Sequence, residues 1–286
     1  MPDLPAPPMS ESPWIDRARL RGAAYGTTGP LAARAALYQH QGERIDFAGW
    51  VLDLVEQEHP LGQRSRVLDV GCGPGAYLVK LRERHPGITT IGFDLSAGMT
   101  RAARDSGSAT AVADAMQVPA CTQAFDVVLC SHMLYHVPDI GLAARELARV
   151  VAPDGLVAIV TNGARHLREL DALTSDAFRS VTGADWDAPA RSAARFLLDD
   201  APRLVAPALT VVRSERRSNT ITVPDAAPLV AYVDSEQSLF EPAIPTGTSW
   251  ESMLGAFAQQ ATAAIGRDGE FVIHSDVGVL LCRSAR

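Results

Sequence analysis

A doubly wound α/β sheet is the fold class this sequence predicts, and three observations predict it. Between residues 66 and 160 short apolar runs alternate with helical patterns. The first run passes straight into three glycines within five residues, and each of the next two ends at an aspartate. Strands alternating with helices imply parallel pairing through right-handed crossovers. Glycines after a strand let the backbone turn sharply and approach a ligand with no Cβ in the way.

The elements follow in order. Residues 1–13 contain five prolines and read as a disordered arm. Residues 14–60 read as a helical lid: a helical pattern over 14–40, broken at 26–30, and a helix over 45–56 with Phe47, Val51, Leu54 and Val55 on one face. Residues 61–163 are the core, with strands at 66–70, 88–93, 109–112, 125–130 and 156–160 and helices at 76–84, 97–104 and 140–150. Beyond Asn162 the regularity fails. Helices are expected at 165–181 and 192–199, strands at 209–214 and 220–223, helices at 225–233 and 249–265, and strands at 271–274 and 277–283 on either side of Ser275 and Asp276. Segments 164–207 and 224–266 therefore form a cap inserted after the fifth strand, while 208–223 and 267–286 supply the remaining strands.

Composition narrows the partners. Lys and Arg number 26 against 33 Asp and Glu, a net charge of −7, and no basic run breaks that average. Such a chain is a poor counterion for a phosphate backbone, which disfavours nucleic acid. At 286 residues and 47% hydrophobic it can bury a core, and one domain with an elaboration is expected. No stretch approaches the roughly 18 apolar residues of a membrane span, and the first residues lack the basic and apolar blocks of a secretory signal. Cys72, Cys121, Cys130 and Cys282 show no CxxC spacing and read as reduced core thiols of a cytoplasmic protein, monomer or homodimer.

The chemistry centres on Val67-Leu68-Asp69-Val70-Gly71-Cys72-Gly73-Pro74-Gly75. A mere strand-to-helix turn needs one glycine, whereas three free a row of helix N-terminal N–H groups to face a ligand. Gly71, Gly73 and Ala76 also satisfy the dinucleotide pattern, so a nicotinamide or flavin cofactor has to be weighed. Asp94 ends the second strand 19 residues after Gly75, placed to accept two ribose hydroxyls in either case. Asp114 stands at the third strand tip, where it could accept the exocyclic amine of an adenine, a contact nicotinamide folds do not routinely need.

With these blocks in view, the sequence resembles the class I S-adenosylmethionine-dependent methyltransferases, in particular the small-molecule branch with ubiquinone-type and natural-product enzymes. The motifs are LDVGCGPG, GFDLS, ADAMQVP, FDVVLCSHMLYHVPD and LARVVAPDGLVAIVTN, in family order over about residues 66–162. The resemblance implies a Rossmann-like seven-stranded methyltransferase sheet and S-adenosyl-L-methionine as cofactor. It implies that Asp69, Gly71, Cys72, Gly73 and Gly75 hold the methionine part and that Asp94 clasps the ribose. Leu95 and Met99 would flank the adenine, Asp114, Ala115 and Met116 would read its edge, and Ser131 and His132 would border the acceptor.

On the acceptor side, methyl transfer asks for alignment, exclusion of water and, for some acceptors, removal of a proton. His132 and His136 stand four residues apart, but no carboxylate or cysteine cluster completes a metal site, so none is expected. In the family this stretch is LHHVPD-like. Here Tyr135 replaces the first histidine, which puts a direct transfer of its role in doubt. His132 is the preferred catalytic residue, with His136 tying down the loop before Pro138. Tyr25, in the glycine-rich break at 22–29, is placed to bring a hydroxyl near the sulfonium, and Arg34 and Tyr38 follow on the next helix. The Asn/Asp-Pro-Pro-aromatic segment of amino-methylating nucleic-acid enzymes is missing. Of Phe178, Trp186, Phe196, Tyr232, Phe240 and Trp250 most are expected to be core, and two or three lining a pocket would suit a small, flat, electron-rich acceptor, an indole or phenol, with carbon methylation suspected and nitrogen or oxygen possible. A nicotinamide-dependent oxidoreductase and a non-catalytic S-adenosylmethionine-binding protein are the competing readings.

Overall fold

The computed structural model describes residues 12–183 and 192–285. The expected arm at 1–13 therefore falls, except for its last two residues, outside the described residues, as does Trp186. Seven strands, β1 (Arg66–Val70), β2 (Thr89–Asp94), β3 (Ala109–Val112), β4 (Phe125–Ser131), β5 (Val151–Asn162), β6 (Leu209–Val223) and β7 (Phe271–Ser284), form one sheet in the order β3-β2-β1-β4-β5-β7-β6. β7 is antiparallel to both neighbours and the rest pair in parallel, so the chain order reverses between β1 and β4. In open α/β sheets such a switch point opens a crevice at the strands' carboxyl ends.

The central strands are buried on both faces, while the edge strands β3 and β6 are largely exposed. Leu68, Val128, Val157 and Leu280 pack on one side against Leu147 and Val205. Val67, Leu129, Ala158 and Leu281 pack on the other against Val51, Val55 and Leu81. Helices α1 (Gly29–Leu37), α2 (Phe47–Glu58), α3 (Ala76–Arg84), α4 (Ala97–Asp105) and α5 (Ile140–Val150) fall close to the expected spans. Asp46, Ser96 and Asp139 cap α2, α4 and α5 through side-chain oxygens. The leading segment is not the continuous helix expected over 14–26. It breaks once, at Asp16: a 3-10 turn at Pro13–Ile15 is followed by a new start that Asp16 caps, and the helix then runs from Arg17–Arg19 into a π-helical stretch, Leu20–Ala24, that ends before Gly26.

The largest correction concerns the last strands. The expected pairs at 209–214 with 220–223 and 271–274 with 277–283 are each one strand, and together they make a long hairpin. The polar tract between the first pair reads as a loop, yet its charges are partnered. Arg213 pairs with Glu215 and Glu58, and Arg216 with Asp199 and with Asp276, which is itself fully buried. The far end of this hairpin extends past β5 and carries the cap: Ile221, Val223 and Ile273 pack under α6 (Arg168–Thr182), α8 (Ala227–Asp234) and α9 (Trp250–Asp268). The short helix α7 (Ala201–Val205) lies instead over the sheet, and the helix expected at 192–199 is a single 3-10 turn, Ser192–Arg195. Cap helices thus come from both sides of β6. Cys72, Cys130 and Cys282 are buried free thiols, but Cys121 is exposed in the loop before β4, so the core reading holds for three of the four.

Candidate active site

A cavity of about 1140 Å³ opens at the carboxyl ends of β1, β2, β4 and β5, beneath the N-terminal segment and the cap. After Val70 the chain turns through Gly71, Gly73 and Gly75 at φ of +76°, +52° and +89°. The N–H groups of Gly71 and Cys72 donate to the Phe93 carbonyl at 2.6 and 3.0 Å, which fastens the loop to β2. A Cβ on Gly71 would lie 2.6 Å from Met133 Cγ, and one on Gly75 3.1 Å from Ala103 Cβ. At Gly73 the nearest atom would be Leu31 Cδ2 at 3.9 Å. Gly71 and Gly75 therefore answer to packing, whereas Gly73 leaves open space in the cavity. Gly75 is not on the cavity wall; it opens α3.

Four aspartates line the same cavity, Asp171 from the cap and Asp69, Asp94 and Asp114 from the strand ends. Asp69 is fully buried and both its carboxylate oxygens lack a hydrogen-bond partner. Burial, with a smaller push from the charge of Asp94, raises it to about 8. Asp94 accepts from the Gly73 N–H at 2.9 Å and the Ser96 N–H at 2.8 Å, and burial raises it against the lowering effect of these bonds. Asp114 accepts from the Met116 N–H at 3.0 Å and pairs with Arg17 of the leading segment. Leu95, Met99, Ala115, Cys72 and Ser131 also line the wall. Met116 does not; its side chain packs into the main core behind. Ser131 Oγ donates to Tyr77 Oη at 3.2 Å.

The catalytic candidates are arranged unequally. His132 follows β4 at φ +51°, its N–H donates to the Val160 carbonyl at 2.9 Å, and its ring tilts against Phe47 with centroids 5.9 Å apart. Among the described residues nothing hydrogen-bonds its ring nitrogens, and desolvation pulls it down to about 4. His136 is likewise lowered to about 4 by desolvation. Its Nδ1 lies 2.9 Å from the Trp14 carbonyl, which can only accept, so Nδ1 carries the proton and Nε2 accepts from the Tyr25 hydroxyl at 2.9 Å. Tyr25 and His136 are thus one clasp between the leading segment and the β4 loop, and the Tyr25 proton is committed to the histidine. Asn162, Tyr38, His166 and Tyr232 line the cap side of the cavity.

Most of the cap aromatics are core, as expected, but of those described Tyr232 lines the cavity where two or three were expected to. Phe178, Phe240 and Trp250 form the cap core and Phe196 the sheet core, because interlocking helices bury aromatic rings edge to face. Sequence reasoning missed Tyr77 and Arg17, and also Arg195, which donates to the carbonyls of Tyr135 at 2.9 Å and Val137 at 3.1 Å and holds the loop that carries His136. The one available signal was that Tyr77 sits a single residue into the helix after the glycines. Among the described residues no three His, Cys, Asp or Glu side chains cluster as metal ligands, and no helix is long and apolar enough to cross a membrane.

Comparison with known proteins fits this geometry. A family model described as a methyltransferase domain matches residues 68–159. A malonyl-[acyl-carrier protein] O-methyltransferase of Geobacter sulfurreducens is 34% identical over 172 residues, 58% of this chain and 61% of that one. A demethylmenaquinone methyltransferase of Corynebacterium glutamicum is 28% identical over 134 residues, 44% of this chain and 57% of that one. The chain thus spans about three fifths of these curated relatives. Among solved structures, the [4+2]-cyclase SpnF superposes with a TM-score of 0.54 at 17% identity, over 93% of this chain and 96% of its own; at that identity the likeness concerns the fold.

Proposed function

We propose that this chain, whose core is a class I S-adenosylmethionine-dependent methyltransferase domain, methylates a small, aromatic acceptor. The observation that carries the reading is Asp69: a buried carboxylate without a partner, facing a glycine-lined cavity, is a cost that an ammonium group on the ligand would repay. The open space at Gly73 and the strand-end acid Asp94 support the same ligand. A nicotinamide cofactor would use the glycines and Asp94 but has no ammonium to offer Asp69, and residues 68–159 match a methyltransferase domain.

S-adenosylmethionine, when bound, supplies an electrophilic methyl group on a sulfonium centre. The chain's own residues then have three tasks. Asp69 and the Gly71 to Gly73 backbone would hold the amino-acid end, Asp94 the ribose, and Leu95, Met99 and Asp114 the adenine. Trp14, Tyr25 and Arg17 close the cavity to water through the clasp on His136 and the ion pair with Asp114. His132 and Phe47 would align the acceptor. An imidazole lowered to about 4 is a weak base at neutral pH. This favours an acceptor that needs no proton removed before transfer, such as the nucleophilic carbon of an indole.

Incubation with methyl-labelled cofactor and a panel of indoles, phenols and amines, followed by mass, tests the proposal. Label in a carbon-methylated aromatic product supports it. Cofactor binding without turnover on any acceptor would instead indicate a non-catalytic binding protein.

A further inference from the structure

Asp69, Asp94 and Asp114 line the cavity at the carboxyl ends of β1 to β3, with Arg17 paired to Asp114, and Arg34, Asp171 and Glu236 line it from the lid and cap; Arg44 and Arg217 face it from the edge of the sheet. Arg217 is level with Val277 of β7, and Val277 with Asn162 of β5. With β4 between β5 and β1, and Asp69 level with Ala158 of β5, Arg217 stands four strands across from Asp69, roughly 19 Å at the usual strand spacing, and four residues further along, roughly 13 Å more in that direction.

In a chain of net charge −7 the other arginines of β6, Arg213 and Arg216, are ion-paired. Arg217 has no ion pair or hydrogen bond through its side chain among the described residues, and neither has Arg44. The Arg217 guanidinium lies instead over the Trp50 ring, 5.4 Å from its centroid. Trp50 packs on Phe47, and Phe47 on His132, so this aromatic row links Arg217 to the β4 tip. Arg44 is held alongside. The Gly42 N–H donates to the Thr220 carbonyl at 3.0 Å and Asn219 Nδ2 to the Glu43 carbonyl at 2.9 Å, which brings the segment before α2 to the level of Arg217. A guanidinium stacked on a ring keeps its N–H edge free for a two-point hydrogen bond to a planar anion.

We propose that Arg217, with Arg44 beside it, forms an anion subsite of the acceptor pocket, and that the acceptor carries a carboxylate or phosphate group apart from its methyl-accepting atom. The proposal rests on reading this cavity as a methyl-transfer site.

The test titrates two matched pairs into the chain saturated with S-adenosylhomocysteine: indole-3-acetate against indole-3-acetamide, and phenyl phosphate against phenol. At least one anion should bind about tenfold or more tightly than its neutral partner, and the pair that shows the difference identifies carboxylate or phosphate as the source. Arg217→Gln should erase the difference and leave S-adenosylhomocysteine affinity unchanged. Equal binding within both pairs, or no binding of either anion at millimolar concentration, overturns the proposal. So does an Arg217→Gln variant that loses S-adenosylhomocysteine affinity, because the arginine then serves the cofactor's own carboxylate. If the wild-type chain takes up no S-adenosylhomocysteine, the cofactor reading fails, and the same pairs titrated into the unloaded chain still decide the anion subsite.

Discussion

The Tyr25 hydroxyl donates to His136 Nε2 at 2.9 Å, and His136 Nδ1 in turn donates to the Trp14 carbonyl at 2.9 Å. Two residues read from sequence as separate catalytic candidates are a single tether that draws the leading segment over the cavity.

Tyr25→Phe is therefore expected to act on closure. It leaves a desolvated imidazole nitrogen without a donor, which costs about 1–3 kcal/mol. Chemical denaturation should show that loss, and S-adenosylhomocysteine should dissociate faster. A variant of unchanged stability with a new pH dependence of kcat would assign Tyr25 to proton transfer instead.

His132 and His136 give the pH response a definite sign. Both are lowered from 6.5 to about 4, so between those values the unfolded chain holds more protons than the folded one. Their contribution to stability is complete above about pH 6.5 and is lost as pH falls toward 4. Denaturation midpoints across that window should drop accordingly. By the same shift kcat, read with the cofactor saturating, should be level above about pH 5, and His132→Asn should cost less than the about 10²–10⁴-fold of a general base. A rate that climbs through pH 6 to 7 in the wild type and not in the variant would make His132 the base.

Gly73→Val puts a branched side chain into open cavity at φ +52°. The strain is about 1–2 kcal/mol, small beside the lost space. Cofactor binding should disappear while the circular dichroism spectrum stays native. Near-normal affinity in the folded variant would make this glycine purely structural.

Asp94→Ala removes the acceptor for the Gly73 and Ser96 N–H groups as well as the proposed ribose contact. Affinity for S-adenosylhomocysteine should fall by about 1.5–3 kcal/mol, the range for hydrogen bonds to a charged group. Calorimetry that finds no change would remove the ribose assignment.

The core was legible because its signals are local. Glycines, apolar strands and strand-end acids lie within a few residues of each other, so the positions of Asp69, Asp94 and His132 follow once the strands are set. The hairpin β6–β7 was not legible, since its polar middle is a strand only through partners distant in sequence: Arg216 meets Asp276 and Ser218 meets the same carboxylate. The clasp of Tyr25 and the Arg17–Asp114 ion pair depend likewise on a segment folding back across the sheet, and hydrophobic pattern alone does not say which of the cap aromatics lines the cavity and which packs in a helix core.

Asp69 is the residue proposed to receive the ammonium of S-adenosylmethionine. Its carboxyl is held at about 8 with no partner, so at pH 7 it is largely protonated, and pairing with an ammonium must expel that proton. Titration calorimetry with S-adenosylhomocysteine at pH 7, in two buffers of different ionisation enthalpy, reads this directly. The account predicts saturable binding with net proton release, affinity that rises with pH up to about 8, and loss of both release and affinity in Asp69→Asn. No binding, or binding with no proton linkage that Asp69→Asn leaves intact, would contradict it.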